Sequence, residues 1–220
     1  MAYLPCVEIE TSNAVNASVI WLHGLGANGH DFEPIIPELR LPKQAGVRFV
    51  FPHAPSIPVT INGGMVMPAW YDILEMSIDR KIDYAQILVS AGRINDLVQR
   101  EIDRGIASER IVLAGFSQGG AVAYHVALTS TRPLAGLLAL STYLATQDKI
   151  SDTATQLSLP VLVCHGLFDP VVPEMLGQQA IARLQTVGYQ PEYKTYPMQH
   201  NVCAEEVTDI ASWLRRILQL

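Results

Sequence analysis

The sequence is poor in cysteine, and the few cysteines that it has are isolated. Cys6, Cys164 and Cys203 are the only three in 220 residues, and no Cys-x-x-Cys pair occurs. An odd number of widely spaced cysteines predicts neither a disulfide framework nor a zinc site. The pattern fits a reducing compartment, so we expect a cytoplasmic protein that holds no metal.

Positive charge is also scarce. The chain has 15 Lys and Arg against 21 Asp and Glu, a net charge of −6, and no basic cluster interrupts this balance. Binding to a phosphate backbone needs a positive surface, which excludes a nucleic-acid partner.

Long apolar runs are missing as well. Runs such as residues 134–140 are far shorter than a membrane-spanning helix. The first ten residues contain no basic region followed by an apolar stretch, so we expect neither a secretory signal nor stable membrane insertion.

What the chain does have is apolar content, 49% of its residues, arranged as alternating strands and helices. The predicted strands are 4–10, 17–22, 47–51, 111–114, 134–140, 160–164 and 192–196. The predicted helices are 31–39, a segment after 117, 84–106, 174–187 and one from about 204. On the longest of them the apolar face comprises positions 84, 87, 88, 91, 94, 98 and 102. Continuous apolar strands alternating with helices predict an α/β fold in one domain, 1–220, with a mostly parallel sheet covered on both faces.

The motif Gly115-Phe116-Ser117-Gln118-Gly119 stands between a predicted strand and a predicted helix. It matches G-x-S-x-G, in which a serine on a strained strand-to-helix turn is a nucleophile. Glycine at both ends is expected, because side chains two residues either side of the serine would collide. The pentapeptide alone leaves an alternative open, since serine before an apolar helix often caps that helix.

A serine hydroxyl needs a base, and in this architecture the base follows the nucleophile and the acid along the chain. Of the six histidines, His125, His165 and His200 follow Ser117, and His125 falls within the predicted helix after the motif. His200 lies on a loop before the last helix and is the predicted base. His165 ends a strand and, like His23 and His53, is expected to bond to nearby backbone.

The predicted acid is Asp169, on the loop after the strand 160–164. It would fix the tautomer of the base and stabilise its imidazolium form. Asp148 and Asp152 also lie between the serine and the histidine, but they precede that strand.

The tetrahedral oxyanion needs two backbone donors, one of them from the residue after the nucleophile, Gln118. The second is expected from Leu25, since Gly24 and Gly26 allow a close approach of the backbone. Residues 24–29 also fit G-x-G-x-x-G, a nucleotide-binding pattern, but the next strand ends in Phe51-Pro52 without the acidic residue that binds a ribose.

Seven segments carry a resemblance to a known family: LHGLGANGHDF, FPHAP, INGGMVMPAWYDI, AGFSQGGAVA, LSTY, HGLFDPVVP and YPMQH. Together they resemble the small α/β-hydrolase carboxylesterases related to acyl-protein thioesterases, nearest to the bacterial carboxylesterase branch. The resemblance extends from about residue 17 to the C-terminus. One departure is Gln199, where the family often has glycine before the histidine.

The resemblance implies an α/β-hydrolase fold without a large cap domain and an enzyme that needs no cofactor. It implies the triad Ser117, Asp169 and His200, with Leu25 and Gln118 at the oxyanion hole. The implied acyl pocket is formed by Ile61, Ile73, Met76 and Val171. Some members of the family are homodimers.

Residues 52–76 form an unusually long connection, which is typical of a functional loop. Its Met65, Met67 and Trp70 are candidates for a wall over an acyl chain, and the alternative is that they pack on the sheet edge.

The sequence thus predicts a serine carboxylesterase that hydrolyses short- to medium-chain esters through an acyl-Ser117 intermediate. One alternative is an acyl-protein thioesterase or lysophospholipase, acting on a thioester or lipid ester. Another is a catalytically silent hydrolase fold that binds a small apolar ligand.

Overall fold

The computed structural model of the protein describes residues 3–75, 81–150 and 156–220. Its strands are β1 (Cys6–Glu10), β2 (Ala17–Leu22), β3 (Val47–Pro52), β4 (Ser56–Val59), β5 (Met65–Pro68), β6 (Ile73–Glu75), β7 (Lys81–Ile82), β8 (Ile111–Phe116), β9 (Gly136–Leu140), β10 (Val161–Gly166) and β11 (Glu192–Tyr196). Its helices are α1 (Ile35–Glu38), α2 (Tyr84–Asp103), α3 (Gln118–Thr129), α4 (Glu174–Val187) and α5 (Ala204–Leu218). None of the helices in these ranges is long and apolar enough to cross a membrane.

Seven strands form the central sheet in the order β1-β3-β2-β8-β9-β10-β11. Only β1 is antiparallel to its neighbour; the other pairs are parallel. The inner strands β2, β3, β9 and β10 are buried at every residue, whereas the edge strands β1 and β11 are mostly half-exposed. Burial on both faces explains why the inner strands read as continuous apolar runs.

Helices cover both faces of the sheet and enclose two apolar cores. Buried residues of α2, α3 and α4, such as Ile94, Val122 and Leu184, belong to one core. Ile35 of α1 and Leu214 of α5 belong to the other. The fold is therefore a three-layer α/β sandwich, as the alternation of strands and helices predicts.

The first predicted helix, 31–39, is wrong in extent. Only the four residues Ile35–Glu38 are α-helical. Pro34 and Pro37 lack the backbone N–H that a longer helix would use, so the segment forms turns around one helical turn.

Helix α2 departs from its predicted face most clearly at Leu88 and Glu101. Leu88, expected on the buried face, is 46% exposed, whereas Glu101 is fully buried. Glu101 accepts a hydrogen bond of 2.8 Å from the guanidinium of Arg48 on β3. This ion pair compensates the burial of the carboxylate, which hydrophobic periodicity alone does not reveal.

The long connection after β3 is ordered into two short strand pairs. Strands β4 and β5 form an antiparallel hairpin that turns at Gly63 and Gly64, both with positive φ, and β6 pairs with β7. Met65 of the hairpin is 63% exposed, but Trp70, which follows it, is only 1% exposed. The connection therefore has both a surface part and a part built into the core.

The carboxyl ends of the parallel strands converge where the strand order reverses, between β2 and β8. Leu22 of β2 lies opposite Gly115 of β8, so the loop after β2 and the turn after β8 leave the sheet side by side. The loops after β10 and β11 leave the same edge. Ligand sites of open α/β sheets form at this position.

Candidate active site

The turn after β8 holds Ser117 in a strained conformation, with φ 53° and ψ −120°. Such backbone angles are rare for residues other than glycine and concentrate at functional sites. A Cβ on Gly115 would lie 2.5 Å from the carbonyl carbon of Gly119, and a Cβ on Gly119 would lie 2.5 Å from the His23 oxygen. Both glycines of G-x-S-x-G are thus sterically required.

The structure brings together the three residues expected to form a triad, although they come from three separate loops. The Oγ atom of Ser117 lies 3.0 Å from Nε2 of His200, and Nδ1 of His200 lies 2.6 Å from Oδ2 of Asp169. The Phe116 ring packs on the imidazole, with centroids 4.7 Å apart. The residue before the nucleophile therefore helps to place the base, which the motif did not indicate.

Asp169 is held as a carboxylate by donors on both of its oxygens. Its Oδ1 accepts hydrogen bonds of 2.8 Å from the N–H groups of Val171 and Val172, while Oδ2 accepts from His200. Burial raises the pKa of Asp169, but the hydrogen bonds from His200, Val172 and Val171 outweigh burial and leave the pKa below its ordinary value. The ionised carboxylate fixes the proton of His200 on Nδ1, so Nε2 faces Ser117 as an acceptor.

The two expected oxyanion donors lie at the same cavity as Ser117. Gln118 is the first residue of α3, so its N–H has no acceptor within the helix. In the loop after β2, Gly26 N donates to Pro68 O at 2.8 Å and Ala27 N donates to Gly24 O at 3.3 Å. These bonds fix the loop on either side of the Leu25 amide.

His23 anchors that loop from the core. Its Nδ1–H donates to Gly24 O at 2.7 Å, and its Nε2 accepts from Ala54 N at 3.1 Å. Burial lowers the pKa of His23, so the ring is neutral and serves as one donor and one acceptor. The prediction that His23 bonds to nearby backbone is confirmed.

Trp70 supports the same loop and does not fit its predicted place in the substrate site. Its Nε1–H donates to His23 O at 2.8 Å, and its backbone N–H donates to Oε1 of Gln118 at 2.8 Å. The amide of Gln118 also donates to Tyr71 O at 2.6 Å. Both side chains therefore tie the long connection to the two oxyanion loops, and Trp70 is buried beneath the site rather than lining it.

A cavity of about 200 Å³ opens beside Ser117. Its lining residues are Leu25, Ile61, Asn62, Ile73, Ser117, Gln118, Tyr143 and Val171. Ile73 and Tyr143 are 4% and 6% exposed and form the closed end, while Val171 is 41% exposed at the mouth. Ile61, Ile73 and Val171 were expected here, and Met76 lies outside the described residues.

Asn62 and Tyr143 were not identified from the sequence. Tyr143 belongs to the LSTY segment, which carried the family resemblance but no assigned role. Its hydroxyl lies 2.6 Å from that of Tyr71, so a second buried tyrosine holds the ring that lines the cavity.

The remaining candidates lie elsewhere. Asp148 is exposed in a short turn, Asp152 lies outside the described residues, and Gln199 is exposed beside the base. Within residues 3–75, 81–150 and 156–220, no group of three or more His, Cys, Asp or Glu side chains could hold a metal ion.

A serine, a histidine and a carboxylate in hydrogen-bonding order at the switch point of such a sheet define a serine hydrolase of the α/β-hydrolase fold. The chain belongs to the phospholipase/carboxylesterase family, whose model matches residues 5–218.

Similar proteins are named as thioesterases. Acyl-protein thioesterase 1 of Neurospora crassa is 41% identical over 90% of this chain and 85% of its own length. That of Gibberella zeae is 40% identical over 92% of this chain and 91% of its own length. Among solved structures, Zea mays acyl-protein thioesterase 2 superposes with a TM-score of 0.86 at 27% identity, covering 98% of this chain and all of that one.

Proposed function

We propose that this protein is a serine thioesterase that removes acyl groups from acylated cysteine through an acyl-Ser117 intermediate. One observation carries the proposal: Ser117 Oγ, on its strained turn, lies 3.0 Å from a histidine whose far nitrogen lies 2.6 Å from a buried carboxylate. That arrangement is suited to activating a serine hydroxyl.

In the first half-reaction, His200 Nε2 takes the Ser117 proton while Oγ attacks the carbonyl carbon of the substrate. The Leu25 and Gln118 amides stabilise the oxyanion of the tetrahedral intermediate. Asp169 stabilises the imidazolium, which then gives its proton to the departing sulfur.

In the second half-reaction, water takes the position of the departed thiol. His200 removes a proton from this water, which attacks the acyl carbon and forms a second oxyanion. Collapse of this intermediate returns the proton to Ser117 Oγ and releases the carboxylic acid. His200, Asp169 and the two backbone amides keep the same roles in both halves, whereas Ser117 is the nucleophile in the first and the leaving group in the second.

The names of the relatives favour a thioester over an oxygen ester. Thiols ionise near pH 8.5, far below alcohols, so a departing thiolate depends less on the proton from His200. Val171 is exposed at the mouth of the cavity. The part of a long acyl chain that the cavity does not hold would leave it there.

A second candidate, a carboxylesterase for short- to medium-chain esters, is favoured by the size of the cavity. Its volume of about 200 Å³ is below the range of about 300–1,000 Å³ usual for ligand pockets. We further propose that residues 1–220 form a single catalytic domain. The cytoplasmic location and the formation of a homodimer stay predictions.

Matched substrates separate the two candidates. We would measure kcat/KM for a peptide carrying an S-acyl cysteine and for the same peptide with an O-acyl serine, each with butanoyl, octanoyl and palmitoyl chains. The thioesters are expected to react at least about 10-fold faster at each chain length, a difference of about 1.4 kcal/mol in the barrier. Ser117→Ala should abolish both activities.

Faster hydrolysis of the short oxygen esters would select the carboxylesterase instead. Absence of turnover with every substrate would contradict both and leave a fold that only binds ligands.

A further inference from the structure

A second histidine lies behind the predicted acid. His165, on β10, has a side chain with no exposed surface, and its Nε2 lies 2.8 Å from Val172 O. The same nitrogen is 3.8 Å from Oδ2 of Asp169, the oxygen that accepts from His200. The sequence predicted only that His165 bonds to nearby backbone, which is confirmed.

The partner of His165 defines its tautomer. A carbonyl oxygen can only accept, so Nε2 carries the proton and Nδ1 does not. In the described part of the chain Nδ1 is buried without a hydrogen-bond partner. It faces Gly177 of α4, where a Cβ would lie 2.6 Å from Nδ1. The glycine leaves room for the ring and offers Nδ1 no acceptor, so a second proton there would be unsatisfied.

Val172 links His165 to the acid. Its N–H donates to Asp169 Oδ1 at 2.8 Å, while its C=O accepts from His165. One residue is therefore held from both sides, by the acid in front and by the imidazole behind. Without the hydrogen bond from His165, the Val172 backbone would be less restrained, and its N–H would hold the Asp169 carboxylate less firmly.

The titratable groups around His165 lie on two loops, on α4 and on β11. Asp169 and His200 face it from their loops, Glu174 from α4, and Tyr193 of β11, whose hydroxyl donates to Glu174, lies beside Gly177. Burial lowers the pKa of His165, outweighing the Val172 carbonyl and the two carboxylates, which raise it. A neutral ring at 3.8 Å does not compete with His200 for Asp169.

We propose that His165 is a positioning residue for the reaction: its Nε2–H holds Val172, so that the backbone amides grip Asp169 and the carboxylate stays directed at His200. This inference rests on the proposed function, since it assigns a role within the same hydrogen-bonded chain.

Two variants of similar size separate the hydrogen bond from the volume of the ring. In His165→Gln the side-chain amide reaches the Nε2 position and still donates to Val172 O. In His165→Phe the ring remains and the donor is lost. We expect kcat to fall roughly 10- to 100-fold in the Phe variant, because small displacements of catalytic groups have effects of this size. KM should change little, and the Gln variant should stay within about 3-fold of wild type in kcat.

The pH profile of kcat/KM provides a readout that lost stability alone does not move. In the Phe variant Asp169 stabilises the protonated base less, so the acid limb should shift to lower pH. In the Gln variant it should coincide with that of wild type. A folded Phe variant with wild-type kcat and acid limb would overturn the proposal, and so would a Gln variant as impaired as the Phe variant.

A measurement on wild-type protein covers the case in which the Phe variant does not fold. In imidazole ¹⁵N spectra of histidine-labelled protein, assigned with the Gln variant, His165 should remain the neutral Nε2–H tautomer as the pH falls through about 6.5, where an unperturbed histidine titrates. An Nδ1–H tautomer, or titration at that pH, would contradict the proposal. These spectra need no turnover, so they test His165 even if the proposed thioesterase activity fails.

Discussion

The two sides of Ser117 are formed by different kinds of interaction. On the side of His200, directional hydrogen bonds of 2.6 to 3.0 Å run from the serine through the imidazole to the carboxylate and its two backbone donors. On the side of the cavity, Leu25, Ile61, Ile73 and Val171 supply mainly apolar surface and shape. One side is defined by the identity of its atoms and the other by its volume.

The difference shows how each side can change. A hydrogen-bonded chain tolerates few residue types, because each atom must donate or accept in a fixed direction. An apolar pocket tolerates many, and one methylene in such a pocket is worth only about 1–3 kcal/mol of discrimination. We therefore expect large, substrate-independent effects from the first side and moderate, substrate-dependent effects from the second.

The largest loss of activity is expected from Asp169→Asn. The side-chain NH₂ would face His200 and hold the imidazole in the wrong tautomer, so kcat should fall by about 10³- to 10⁴-fold with every acyl chain. Steady-state kinetics across the acyl series measures this loss. Asp148→Asn, at the exposed alternative acid, is the matched control and should behave like wild type. A loss of kcat below about 10-fold, or one confined to some substrates, would contradict the claim that the hydrogen-bonded side acts on all substrates alike.

A smaller effect, which depends on the substrate, is expected from Tyr143→Ala at the closed end of the cavity. Removing the ring deepens the pocket, so kcat/KM for octanoyl relative to butanoyl substrate should rise by about 10-fold. Tyr143→Phe keeps the ring and removes only the hydroxyl that meets Tyr71, and its chain-length profile should match wild type.

Truncation of a buried aromatic ring costs about 3–5 kcal/mol, so thermal unfolding must show that the Ala variant is native at the assay temperature. Equal losses for both chain lengths in a folded Ala variant would mean that Tyr143 does not set the depth of the pocket.

The same contrast explains what could be predicted from the sequence. The strand ends that carry Ser117, Asp169 and His200 were readable because buried parallel strands are continuous apolar runs and the nucleophile motif fixes the chain order of its partners. The strand predicted at 17–22, for example, has the same bounds as β2.

The sequence predictions that failed concern residues whose positions depend on contacts between distant segments of the chain. Trp70 was expected at the substrate, but its N–H groups meet His23 and Gln118, and no local pattern encodes that approach. Tyr143 and Asn62 line the cavity, although the sequence segments that contain them gave them no role. Glu101 is buried on a helix whose spacing predicted only apolar residues, because its partner Arg48 lies on a distant strand.

The central claim is that Ser117 is the activated nucleophile. It is tested most directly by treating native protein with a fluorophosphonate and locating the adduct by peptide mass mapping. We expect one phosphonyl group, on Ser117, with labelling abolished in Ser117→Ala and greatly slowed in folded His200→Ala. Native protein that hydrolyses its substrate while Ser117 stays unlabelled, or that carries the adduct on another residue, would contradict the account.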